Sequence, residues 1–122
     1  MPTVLIIDDA DATRTGLVRL FQLRGYKTKE AVNGADGLER LREEPRADVV
    51  VLDLMMPGTN GYWFRDEQLK DPALADIPVI VFTGAVEPDQ LQLRRRMGVA
   101  DVFCKPVSVD AVLEAVSRHC TE

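Results

Sequence analysis

The chain is short of cysteine, of positive charge, of long apolar runs and of glycine-rich signatures, and each shortage excludes something. Its two cysteines, Cys104 and Cys120, show neither a CxxC pattern nor metal-ligand spacing. They read as free, buried or part-buried thiols in a reducing cytoplasm rather than as a redox or zinc motif. With 15 Lys and Arg against 20 Asp and Glu, the formal net charge is −5. Such a balance offers no excess of cations to neutralise phosphates, and it argues against direct nucleic-acid binding. No stretch approaches the roughly 18–20 apolar residues of a membrane span. The start, "MPTVLIIDD", lacks a basic segment and runs straight into two carboxylates, so it reads as no secretory leader. Neither a GxGxxG after the first apolar run nor a GxxxxGK[ST] occurs, which argues against a dinucleotide fold and a P-loop. There is no internal repeat, low-complexity tract or linker. The single histidine, His119, has nothing around it that suggests a phosphotransfer role and reads as a surface residue.

What is present is a regular alternation. The 122 residues suggest one domain over 1–122, long enough to bury roughly 65–70 % of the surface of the unfolded chain. "TVLIID" (3–8) reads as a buried strand, and a helix follows with Asp11 as N-cap, Leu17, Leu20 and Phe21 on one face, and Gly25 at its end. "YKTKEA" (26–31) is a weaker, edge-type strand. "GADGLERLREE" is a second helix, "ADVVVLD" a buried strand, and 60–70 a third helix carrying Trp63, the only tryptophan. "IPVIVFT" (77–83) is another buried strand, "PDQLQLRRRMG" a helix closed by Gly98, and "DVFCK" (101–105) a short strand. Ser108 caps a last helix with Val109, Val112, Leu113 and Val116 at i, i+3, i+4, i+7. Five βα units imply a parallel sheet covered by helices on both faces, with the working site beyond the carboxyl ends of the strands.

Those ends carry the chemistry. The apolar strands finish at Asp8-Asp9, at Asp53, at Thr83-Gly84 and at Lys105-Pro106. Taken singly, each has an ordinary explanation: a helix or turn cap for Asp8-Asp9, a cap or ion-pair partner for Asp53, a strand-ending turn for Thr83, an exposed lysine for Lys105. Taken together, they bring three carboxylates, a hydroxyl and an ammonium to one edge of the sheet. Two carboxylates about 4 Å apart repel by roughly 4 kcal/mol at an effective dielectric near 20. Three must either raise their pKa values or bind a cation, and hard oxygen ligands favour Mg2+. Asp53 at the centre is the natural nucleophile for a phosphoryl group, with Thr83 and Lys105 placed for its oxygens.

The segments "LIIDD" (5–9), "VVLDLMMPGTNG" (50–61), "VIVFTG" (79–84) and "FCKP" (103–106) closely resemble, in order and spacing, the receiver domains of two-component response regulators, notably the single-domain chemotaxis type. The resemblance spans essentially the whole chain. It implies a flavodoxin-like (βα)5 doubly wound sheet of five parallel strands in the order 2-1-3-4-5. It also implies that Asp53 accepts a phosphoryl group from a phosphohistidine of a sensor histidine kinase or histidine phosphotransfer protein. Asp8, Asp9, the Asp53 carboxylate and the backbone carbonyl of Met55 would hold Mg2+, with Mn2+ as a substitute. Thr83 would move toward the phosphoryl group and Lys105 would pair with it, aimed by a Lys105-Pro106 bond that is often cis in the family. Arg94, Arg95 and Arg96 sit near the end of the fourth helix, where cations suit the dipole and where receivers commonly meet partners. Output would pass to a downstream protein target or to an output domain beyond this chain. The implied location is the cytoplasm, and the implied chemistry is not enzymatic beyond self-phosphorylation and dephosphorylation at Asp53.

One position departs from the family. The aromatic that usually lies three residues before the lysine is replaced by Val102, and Phe103 comes one residue later. A one-residue shift in a strand reverses the face, so the usual aromatic switch is not expected here. Two rival readings remain. A degenerate receiver would bind partners without phosphorylation, yet the acidic residues and the lysine are all present. An aspartate-nucleophile phosphatase would carry a second aspartate two residues after the nucleophile, where this chain has Met55.

Overall fold

The structure, a computed structural model, describes residues 2–84, 90–104 and 108–120. Five strands alternate with five helices: β1 (Thr3–Ile7), α1 (Asp11–Leu23), β2 (Lys27–Ala31), α2 (Gly34–Arg42), β3 (Val49–Asp53), α3 (Gly61–Leu69), β4 (Val79–Thr83), α4 (Gln90–Met97), β5 (Asp101–Cys104) and α5 (Val109–His119). All strand pairs are parallel and the order is β2-β1-β3-β4-β5, as the family resemblance implies. The weak "YKTKEA" strand is an edge, as its alternating polarity predicts.

The three central strands are buried along their whole length, because helices cover both faces of a parallel sheet. Successive residues alternate between two cores. Leu5, Ile7, Val50, Leu52, Val79, Val81 and Val102 face the side built by Leu38 and Leu41 of α2, Phe64 of α3, and Leu93 and Met97 of α4. Val4, Ile6, Val49, Val51, Ile80 and Phe82 face Leu17, Val18 and Phe21 of α1 and Val112, Leu113, Ala115 and Val116 of α5. Val102 and Phe103 fall on opposite cores. The ring of Phe103 therefore packs toward α1 and α5, away from the face that Val102 occupies.

Two local details differ from the sequence reading. Asp11 is the first residue of α1 rather than its cap; Ala10 holds the N-cap position, with no side-chain cap. Asp11 still suits the first turn, where a carboxylate meets the positive end of the helix dipole. Leu20 is only half-buried and Val18 takes its place in the core, since the stripe facing the sheet runs 17, 18, 21. The caps read at Ser108, which accepts from the Ala111 amide, and at Gly98, with φ 67°, are where expected. Pro88 and Asp89, read as the start of the fourth helix, lie outside the described residues, as do Lys105, read as the last residue of the "DVFCK" strand, and the Lys105-Pro106 bond.

Phe64 is fully buried where α3 meets the sheet. Phe64→Ala should lower the unfolding free energy by about 3–5 kcal/mol, read from the urea midpoint at unchanged slope.

Candidate functional site

The parallel register builds the site. Ile7 pairs with Leu52 across β1 and β3, so the next residues, Asp8 and Asp53, stand side by side at the carboxyl edge. Asp53 pairs with Phe82 of β4, which sets Thr83 one residue farther along the neighbouring strand. Asp8 is 0 % exposed, Asp53 2 % and Thr83 0 %; Asp9 is exposed. One carboxylate oxygen from each of Asp8, Asp9 and Asp53 lies within 4.8 Å of the others. Two adjacent aspartates and a third 44 positions farther along the chain thus meet in one cluster, with Asp8 and Asp53 buried. Met55 is exposed, and its amide donates to Asp53 Oδ1 at 3.2 Å, which brings the Met55 backbone against the Asp53 carboxylate. Lys105 lies outside the described residues.

The groups around the aspartates fix their backbone. The Asp8 amide donates to the Ala31 carbonyl at 3.1 Å, and the Ala10 amide donates to Asp8 Oδ1 at 2.9 Å. Arg14 Nη1 donates to the Asp8 carbonyl at 2.8 Å, while the same guanidinium pairs with Asp11 and Glu30. Arg14 thereby ties α1 and the end of β2 to the end of β1. Sequence reasoning missed it, because a single arginine in the first turn of an amphipathic helix looks like solvated surface.

The loop after Asp53 is stitched to α2. Thr59 Oγ1 accepts from the Ala35 amide at 2.9 Å, and the Thr59 carbonyl accepts from the Gly34 amide at 2.6 Å. Asn33 caps α2 by accepting from the Asp36 amide, and Asn60 caps α3 by accepting from the Trp63 amide. A Cβ on Gly34 would sit 2.8 Å from the Asn60 carbonyl oxygen and 2.9 Å from that of Thr59. Close backbone approach, not a special φ, is what reserves this position for glycine. The signal in the sequence was the pair "NG" at 33–34 and again at 60–61, which reads as turn chemistry but hides the contact between the two turns.

Chemically, a cluster of carboxylate oxygens on a rigid edge suits a hard divalent cation such as Mg2+, and its Asp53 carboxylate is held at the end of a buried strand. Among the described residues no helix is long and apolar enough to cross a membrane.

A doubly wound (βα)5 sheet with an acidic pocket at its carboxyl edge is the architecture of a signalling receiver. The sequence matches the response regulator receiver domain over residues 4–117, and the chain belongs to that family of two-component signalling domains. It is 32 % identical over 117 residues to protein PilH of Pseudomonas aeruginosa, covering 96 % of each chain. It is 35 % identical over 118 residues to the sporulation initiation phosphotransferase F of Bacillus subtilis, covering 95 % of this chain and 91 % of that one. Among solved structures, the signal receiver domain of a DNA-binding response regulator from Colwellia psychrerythraea superposes with a TM-score of 0.83 at 31 % identity, with 97 % of both chains covered.

Thr59→Val should remove the side-chain half of the stitch between the two turns, the bond from the Ala35 amide, and leave the backbone bond from Gly34. We expect a loss of about 1 kcal/mol and faster amide hydrogen exchange over residues 54–60 and 34–36, with the strands unaffected.

Proposed function

We propose that this receiver takes up a phosphoryl group at Asp53 from a phosphohistidine of a sensor histidine kinase or histidine phosphotransfer protein. The observation that carries the reading is the convergence of the Asp8, Asp9 and Asp53 carboxylates within 4.8 Å, with Asp53 at the very end of a buried strand. In the transfer, an Asp53 carboxylate oxygen attacks phosphorus in line. The P–N bond to the donor imidazole breaks, and the ring keeps the electron pair and regains a proton. The strand holds the nucleophile in one geometry, so little orientational entropy is lost at the transition state.

Asp8, Asp9, the Asp53 carboxylate and the Met55 backbone carbonyl are the groups that would hold Mg2+, or Mn2+ in its place, which when bound offsets the charge of the phosphoryl oxygens. The donor set fits such an ion, being entirely oxygen. Thr83, at the end of β4, supplies a hydroxyl donor for a phosphoryl oxygen, and Lys105 supplies a cation for another. The aspartyl phosphate then shifts an equilibrium between two forms of the domain, and the altered face is read by a downstream protein or by an output domain. The protein works in the cytoplasm and does no chemistry on other molecules.

Intact-mass spectrometry after incubation with a small-molecule phosphodonor, with and without Mg2+, tests this beside Asp53→Asn. The expected result is a gain of one phosphoryl group that requires both Mg2+ and Asp53. A folded protein with no gain in any condition would overturn the reading in favour of a partner-binding module that needs no phosphorylation.

A further inference from the structure

Among the described residues Arg65 is the one buried arginine, at 7 % exposed, and its neighbour Gln68 is 0 % exposed. Among the described residues the partners of Arg65 are neutral oxygens. Nε donates to the Met97 carbonyl at 3.0 Å, Nη2 to the Gly98 carbonyl at 2.8 Å and Nη1 to Gln68 Oε1 at 2.8 Å. Gln68 in turn donates through Nε2 to the Leu74 and Ile77 carbonyls, both at 3.0 Å. Burial pushes the guanidinium below its ordinary pKa, so desolvating this cation has a cost that an ordinary leucine on α3 would avoid.

The position explains what that cation does. Met97 and Gly98 are the last residue of α4 and the glycine that ends it, with φ 67°. Their carbonyls belong to the group that a helix leaves without intrahelical donors, at the negative end of its dipole. The planar fork of Arg65 caps them, so α4 is fastened at its C-terminal end to α3. The other end of α3 is fastened to the site. The Gly61 amide donates to the Leu54 carbonyl at 3.2 Å, and a Cβ on Gly61 would lie 2.7 Å from the Asp53 carbonyl oxygen. Gly61 is the first residue of α3, and Arg65 lies one turn farther along. A continuous rigid connection thus runs from the Asp53–Leu54 peptide through the first turn of α3 to the end of α4. There Arg94, Arg95 and Arg96 are exposed.

We propose that Arg65 is a positioning residue that transmits a change at Asp53 to α4 through α3, an inference that rests on Asp53 being the phosphoacceptor. The connection gives α4 a mechanical link to the site that needs no ring on β5, where Val102 is an apolar core residue. A lysine could reach one carbonyl but cannot reproduce the fork.

The test compares the parent, Arg65→Gln, Arg65→Lys and Gln68→Leu, each with Mg2+ and a small-molecule phosphodonor. The phosphorylated fraction is measured by intact mass and the backbone amide shifts by NMR on the same samples. In the parent, phosphorylation moves the amides of residues 94–98. In Arg65→Gln the Asp53 side of the response, at residues 54–56, is kept, while the α4 response per phosphorylated molecule falls by about threefold or more. Arg65→Lys restores part of it, which a purely structural role would not produce at equal stability. Should Arg65→Gln fail to fold, Gln68→Leu, which leaves the charge but loosens the fork, decides the matter by the same readout. An undiminished α4 response in the folded variants would overturn the proposal while leaving the phosphoacceptor reading intact. A parent that takes up no phosphoryl group would overturn both.

Discussion

Everything in this molecule depends on the in-register parallel pairing of β1 with β3. That pairing places Ile7 against Leu52 and so carries Asp8 and Asp53 past the end of the apolar layer at the same height. A slip of one residue in either strand would turn its own carboxylate toward the opposite core and part the pair. Burial of Val4 through Ile7 and of Val49 through Leu52 at 0 % exposure makes that slip very costly, because every buried side chain of the slipped strand would change sides. The stability of the core is therefore what enforces a juxtaposition of like charges that no local preference favours.

The remainder of the site holds that edge in place. Arg14 fastens the end of β1 to α1 and β2, the Thr59 and Gly34 contacts fasten the loop after Asp53 to α2, and Gly61 lets α3 sit directly on the Asp53 peptide. The carboxylates themselves are thus held at the ends of buried strands, while the helix that carries the exposed arginines packs on the core through Leu93 and Met97 and is capped at its C-terminal end by Arg65.

Much of this was legible in the residues. Five alternating apolar and amphipathic segments specify the layers, strand-end carboxylates far apart in sequence specify the edge, and the one-residue offset of Phe103 from Val102 specifies opposite faces. The strand order came from resemblance to a family, since periodicity alone does not say which strands are neighbours. What escaped was of one physical kind. Arg65, Gln68, Arg14 and Gly34 matter through contacts with backbone carbonyls and amides of distant segments. No side-chain pattern announces such contacts, and a lone arginine on a helix reads as solvated until its partners are in view. The cap at Asp11 failed for a related reason: a carboxylate near a helix start is equally at home inside the first turn, and only the backbone of Ala10 distinguishes the two.

The most direct test of the account is a Mg2+ titration of the unphosphorylated protein followed by backbone amide shifts at residues 8–10 and 53–55. Both segments should move together with one saturating dissociation constant, and Asp9→Asn should weaken both alike. Independent, non-saturating drifts of the two segments, or movement of one without the other, would contradict the claim that β1 and β3 build a single oxygen cluster.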